Sequence, residues 1–194
     1  MLQLIDICKD YGTKTVLNKI NLAVYDGEKI GIIGDNGQGK STLLNIIIKQ
    51  IPADFGEVIS KDTFGVLKQS SELSLDDMIT KLSDKNLATQ FNIELKKLGF
   101  TLDLELTKKR LEQLSCGERT KVALALIFAE NPTTLVLDEP TNHLDILNKD
   151  YLEKVLAGYS GTVLIVSHDI DFLKHTTNKV LKIENKTITK CDEL

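Results

Sequence analysis

The sequence predicts an α/β protein built on a mostly parallel sheet, with an antiparallel β part at the N-terminus and a small inserted helical lobe. Three observations carry this expectation. The runs KIGII (29–33), TLVLD (134–138) and TVLIVS (162–167) are short and largely apolar, as strands covered on both faces by helices are. Segments of helical period alternate with them. A glycine-rich loop, GDNGQGKST (34–42), lies between one such strand and one such helix.

Taken in order, LQLIDI and INLAVY (2–7 and 20–25) alternate and read as strands, separated by the turn-rich YGTKT. After KIGII and the glycine loop, STLLNIIIKQI reads as a helix stopped by Pro52. GEVIS and FGVLK are two further short strands. From Ser74 to Gly99 the pattern turns helical, with Leu87, Phe91, Leu95 and Leu98 on one face and Gly99 as the stop. This stretch belongs to the expected lobe, approximately 70–114, inside a single domain of 1–194. The body resumes at Ser115 with a helix to about Asn131. The strand TLVLD follows, then a helix with Leu147, Tyr151, Leu152, Val155 and Leu156 on one side. TVLIVS is the next strand, SHDIDFLKH a short helix, and VLKI with KTITK a closing hairpin.

Composition bounds the class. A hydrophobic share of 42% and a charged share of 27% are ordinary for a soluble globular protein. The longest apolar run, VALALIFA (122–129), is far short of the roughly 20 residues that span a bilayer. No basic flank followed by an apolar block opens the chain, so no secretory signal is expected. Three widely spaced cysteines, Cys8, Cys116 and Cys191, suit a reducing compartment. A net charge of −4 gives no global pull toward nucleic acid or membrane, and Lys108, Lys109 and Arg110 read as a solvated face. The expected location is cytoplasmic.

Chemistry concentrates in four places. In the glycine loop, Gly34, Gly37 and Gly39 let the backbone N–H groups curl around a phosphate. Lys40 supplies a point charge to the β- and γ-phosphates, and the Ser41 hydroxyl suits Mg²⁺. In TLVLDEP, Asp138 ends an apolar strand and offers a carboxylate to a metal, while Glu139 beside it can reach an attacking water. His168 follows a buried strand, where it either senses the γ-phosphate or caps the next helix; the first reading is favoured beside the other motifs. LSCGE (114–118) opens an apolar helix and forms a second anion-binding helix start. Gln69, after FGVLK, could reach metal or water.

GDNGQGKST, LSCGE, LVLDEP and SHD resemble, in this order, the Walker A loop, signature, Walker B strand and switch histidine of ATP-binding cassette (ABC) ATPases. The resemblance runs from Tyr11, at the adenine-stacking position, to the closing hairpin, and implies a P-loop ABC cassette fold. It implies ATP and Mg²⁺ as ligands. Tyr11, the loop residues Gly34, Asp35, Asn36, Gly37, Gln38, Gly39, Lys40, Ser41 and Thr42, and Ser115, Gly117, Glu118 and Asp145 would hold the nucleotide. Ser41, Gln69 and Asp138 would hold the metal, and Glu139, His168 and Gln69 would be catalytic. In this family the signature loop binds the γ-phosphate of a nucleotide held by the other half of a head-to-tail dimer, which explains two phosphate-binding helix starts in one small chain.

EPTNHLD (139–145) and the Glu118 of LSCGERTKVALA look like the ABC-F branch, whose members act on ribosomes and in some cases protect them from antibiotics. That branch normally holds two cassettes and a long helical linker in one chain. One cassette is visible here, so the chain is expected to be the N-terminal half of a longer protein or a half-size member that must pair. The alternative reading is a soluble ATPase subunit that partners a separate membrane transporter subunit. A non-catalytic nucleotide-binding module is disfavoured because Lys40, Asp138, Glu139 and His168 are all present.

Overall fold

The structure, a computed structural model, describes residues 1–68, 80–99, 114–142 and 144–191. The chain runs β1 (Leu2–Tyr11), β2 (Lys14–Val24), β3 (Lys29–Ile33), α1 (Lys40–Ile47), β4 (Phe55–Ile59), β5 (Phe64–Leu67) and α2 (Lys85–Lys97). It continues with α3 (Cys116–Ala129), β6 (Thr134–Asp138), α4 (Ile146–Gly158), β7 (Thr162–Val166), α5 (Ile170–Thr176), β8 (Lys179–Glu184) and β9 (Thr187–Cys191).

Two sheets result. The larger has the order β5-β6-β7-β3-β8-β9, parallel from β5 through β8 and closed by the antiparallel β8–β9 hairpin. The smaller, β2-β1-β4, is antiparallel. Every residue of β6 and β7 is buried, which is why these strands carry no polar alternation. Their alternate side chains feed two cores. Leu135, Leu137, Val163 and Ile165 join α3, α4 and α5 on one face. Val136, Leu164 and Val166 join Ile30, Ile32, α1 and the small sheet on the other. Each fully buried Leu, Ile or Val stabilises the fold by about 1.5–3 kcal/mol, so α1 is held from above and below.

The parallel strands end together on the side where β3 runs into the glycine loop and β6 into Asp138, the usual place for a site in an open α/β sheet. Asp84 caps α2, accepting from the N–H groups of Asn86 (2.8 Å) and Leu87 (3.0 Å). Gly99, at φ +65°, ends it as expected, and Phe91, Leu95 and Leu98 are buried against the α3 core. The rest of the expected lobe, including Lys108, Lys109 and Arg110, lies outside the described residues.

Three local expectations are corrected. The first hairpin turn is only Gly12 and Thr13, so most of YGTKT is strand. α1 stops at Ile47, well before Pro52, because Lys49 turns to φ +58° and the Asn45 carbonyl accepts from the N–H groups of Gln50 and Ile51. Leu147 is 78% exposed, since Asn148 takes the inward position in the first turn of α4. Among the described residues no helix is long and apolar enough to cross a membrane.

Candidate functional site

The helix starts differ in one respect. Side chains cap α2 (Asp84), α3 (Ser115), α4 (Asp145) and α5 (Asp169). α1 begins at Gly39, with no side-chain cap and no acidic residue in its first turn. Its first N–H groups are therefore left for an anion, and the helix dipole favours one. Gly39 adopts φ +98°, and a Cβ there would lie 2.8 Å from Val16 Cγ1 and 3.0 Å from Leu17 Cδ2. Only glycine lets the loop pass this close to β2. Val16 sits at a bulge, where the β1–β2 register slips between Lys9↔Leu17 and Asp10↔Thr15.

Lys40 is buried at 8% exposure and donates to the carbonyls of Gly34 (2.6 Å) and Asp35 (3.1 Å). The ammonium thus rests inside the loop it would share with a phosphate. Ser41 Oγ donates to Asp138 Oδ2 at 2.8 Å, joining the loop to the end of β6. A hydroxyl and a carboxylate side by side, both hard oxygen donors, suit Mg²⁺. Among the described residues no cluster of three acidic, His or Cys side chains could hold a metal alone. A magnesium ion shared between one or two protein oxygens and substrate phosphates needs none.

Glu139 follows in a left-handed conformation, φ +52°, fixed by its N–H donating to the Val166 carbonyl at 2.8 Å. Its side chain is 8% exposed, and Oε1 is buried without a hydrogen-bond partner. Oε2 accepts from the His168 N–H at 3.3 Å, and His168 Nε2 stands 3.5 Å from Oε1 and 3.1 Å from Asn36 Oδ1. A carboxylate with one buried oxygen that accepts no hydrogen bond has room to take a proton from something outside the chain.

These groups meet in one cleft of about 800 Å³, lined by Tyr11, Asn36, Gly37, Gly39, Lys40, Ser41, Thr42, Asp138, Glu139 and His168. Gly34, Asp35 and Gln38 belong to the same loop. Lys14, Val16, Asn142 and Val166 line the cleft too, and the sequence reading missed them. Asn142 carried a usable signal, three residues after Glu139, whose carbonyl accepts from its N–H at 3.2 Å.

Ser115, Gly117, Glu118 and Asp145 do not line that cleft. Ser115 and Glu118 form a reciprocal cap: Glu118 Oε2 accepts from Ser115 Oγ (2.7 Å) and Ser115 N–H (2.8 Å), and Ser115 Oγ accepts from Glu118 N–H (3.3 Å). The Ser115 hydroxyl and N–H hold the Glu118 carboxyl below its ordinary range. Asp145 likewise accepts from the Asn148 N–H (2.9 Å) and Nδ2 (2.6 Å), and the N–H first of all lowers its pKa. His175 is exposed and faces Glu153. Gln69 and His143 lie outside the described residues.

Comparison with known proteins places these observations. The family model described as "ABC transporter" matches residues 17–142. The ribosome protection protein VmlR of Bacillus subtilis is 38% identical over 194 residues, covering 97% of this chain and 35% of that protein. ABC transporter F family member 2 of Arabidopsis thaliana is 36% identical, covering 90% and 27%. The tylosin resistance ATP-binding protein TlrC of Streptomyces fradiae is 33% identical, covering 97% and 43%. The chain therefore spans well under half the length of these curated relatives. Among solved structures, an ATP-binding subunit of an ABC transporter superposes with a TM-score of 0.82 at 20% identity, covering 98% of this chain and 89% of that one. A dimeric bacterial ABC transporter cassette gives 0.79 at 24% identity, with both chains fully covered.

Proposed function

Because this chain belongs to the ABC transporter family and its sequence relatives include F-branch proteins, we propose that it is an ATPase cassette that works in a nucleotide-sandwich pair, of the ABC-F type acting on the ribosome. The observation that carries the catalytic part is Oε1 of Glu139, buried without a hydrogen-bond partner beside the His168 ring and one residue after the carboxylate bonded to Ser41.

In this reading Lys40 turns from the Gly34 and Asp35 carbonyls to the β- and γ-phosphates of ATP. The uncapped N–H groups of α1 and the loop backbone hold the phosphate chain, and Tyr11 holds the base. Ser41 and Asp138, with Gln69 the third ligand expected from the sequence, would hold magnesium, which would neutralise charge on the phosphate oxygens. Glu139 accepts the proton of the attacking water. His168, hydrogen-bonded at its backbone to the Glu139 carboxylate, orients that carboxylate and reads the γ-phosphate. ADP and phosphate are the products.

Ser115, Gly117 and Asp145 stand outside the chain's own cleft, which supports a role at the cleft of a second cassette, either a copy of this chain or a sibling domain. The ribosome is favoured over a transporter subunit by EPTNHLD and by the likeness to the ribosome protection protein VmlR. The test is a Glu139→Gln chain loaded with ATP–Mg²⁺ and sedimented with 70S ribosomes. Nucleotide-dependent co-sedimentation is expected; hydrolysis at the wild-type rate would remove Glu139 as the base, and co-purification with a membrane subunit instead would favour the transporter.

A further inference from the structure

Lys9 has no part in the site as drawn so far. It is 8% exposed, one of few charged residues buried in the described structure. Its ammonium bonds Asp54 Oδ1 at 2.8 Å, and the other Asp54 oxygen accepts from the Asp10 N–H at 2.7 Å. Asp54 N–H in turn donates to the Cys8 carbonyl at 3.0 Å. Asp54 therefore clamps three consecutive residues, Cys8 to Asp10, immediately before Tyr11. The Lys9 contact, and next the Asp10 N–H, hold the Asp54 carboxyl below its ordinary range.

The same ammonium sits 5.7 Å from the centroid of the Tyr11 ring, within cation–π range. Lys9 and Tyr11 are two apart on β1 and share a face. Tyr11 is 52% exposed and lines the cleft that also holds Lys40 and Ser41. A half-exposed aromatic ring at a phosphate-binding cleft offers a face on which a nucleobase stacks. A cation held close to that ring draws on its π-density and limits its rotation. A buried lysine is costly unless paired, so its position is set by Asp54 rather than by solvent.

We propose that Lys9, anchored by Asp54, is a positioning residue that fixes and polarises the Tyr11 ring as the stacking platform for a purine base. The proposal rests on the cleft being the ATP site. It separates the cleft into a base end, set by the small sheet, and a phosphate end, set by the glycine loop.

The experiment measures binding of ATP–Mg²⁺ and of inorganic tripolyphosphate–Mg²⁺ to the full chain by calorimetry. Lys9→Met is expected to weaken ATP about two- to fivefold, the range a single cation–π contact gives, and to leave tripolyphosphate unchanged. Lys9→Arg restores ATP affinity. In a Tyr11→Ala background Lys9→Met adds no further loss. Asp54→Asn, which keeps the side-chain shape should Lys9→Met fold poorly, gives the same ATP-selective pattern. Equal weakening of both ligands, unchanged ATP binding, or additive losses with Tyr11→Ala would overturn the proposal. If the wild-type chain binds neither ligand, the ATP-site reading itself falls, a result distinct from all of these.

Discussion

Lys149 Nζ lies 2.6 Å from Asp169 Oδ2, tying the first turn of α4 to the residue that directly follows His168. Asp169 also caps α5 by accepting from the Phe172 N–H at 3.0 Å. The helix opened by Asp145 and the helix opened beside His168 are thus bolted together at their N-termini. Burial pushes the Asp169 carboxyl up, but Lys149 and the α5 N–H groups outweigh it, and the pKa falls below the ordinary 3.8. The Asp169 contact raises Lys149 above the ordinary 10.5.

The sign of the pH dependence follows. A depressed carboxyl stabilises the fold above its unfolded pKa and loses that contribution as pH falls through the folded value. A raised lysine contributes below its unfolded pKa and loses it as pH rises through the folded one. Lys149→Met should therefore cost about 0.5 kcal/mol, constant between about pH 5 and 9, shrinking below about pH 4 and above about pH 10. Urea unfolding of both chains across that range measures it.

Asp138→Asn keeps a hydrogen-bond acceptor for Ser41 but removes the charge. ATP binding in excess chelator should be unchanged, while the increment gained on adding Mg²⁺ disappears and phosphate release drops at least ~100-fold. Calorimetry with and without metal, beside a phosphate assay, separates the two effects. A variant with the full Mg²⁺ increment would exclude Asp138 as a metal holder.

Gly39→Ala puts a side chain where φ is +98° and where Val16 Cγ1 is 2.8 Å away. The left-handed conformation alone costs roughly 1–2 kcal/mol, and the contact adds to it. Thermal unfolding should shift down by several degrees, about 2–4 °C per kcal/mol for a chain of this size. ATP affinity should fall more than tenfold, because the loop and α1 cannot keep their spacing to β2.

Cys116, the first residue of α3, is exposed, whereas Cys8 and Cys191 are partly buried. Maleimide should modify it first. In the Glu139→Gln chain ATP–Mg²⁺ should slow that modification at least ~10-fold, because in the proposed pair a second cassette covers Ser115 and Gly117. Mass spectrometry of the adduct, with gel filtration to show pairing, reads the outcome. Equal labelling in a paired sample would mean that the helix start faces solvent.

Much of the fold was legible because β3, β6 and β7 have uninterrupted apolar centres and the glycine loop marks their common end. Both strands of the first hairpin were legible at 2–7 and 20–25, but their continuation to the turn at Gly12 was not, because register shifts at Ile7/Lys9 and Lys9/Asp10 and a left-handed Lys19 (φ +50°) interrupt the alternation there. Leu147 misled because apolar spacing cannot tell that the Asp145–Asn148 cap fills the inner position. At the site, residue types at fixed spacing revealed Lys40, Ser41, Asp138 and Glu139. Lys9, Asp54 and the Lys149–Asp169 pair stayed invisible, since each joins segments that only the folded chain brings together.

Tyr11 stands on the small antiparallel sheet and Lys40 on the helix that follows the large parallel one. A molecule grasped by both ends is then a rivet through two plates. Both sheets rest on the one apolar layer they share with α1, so the distance between the two ends of the cleft is set by the packing of that layer.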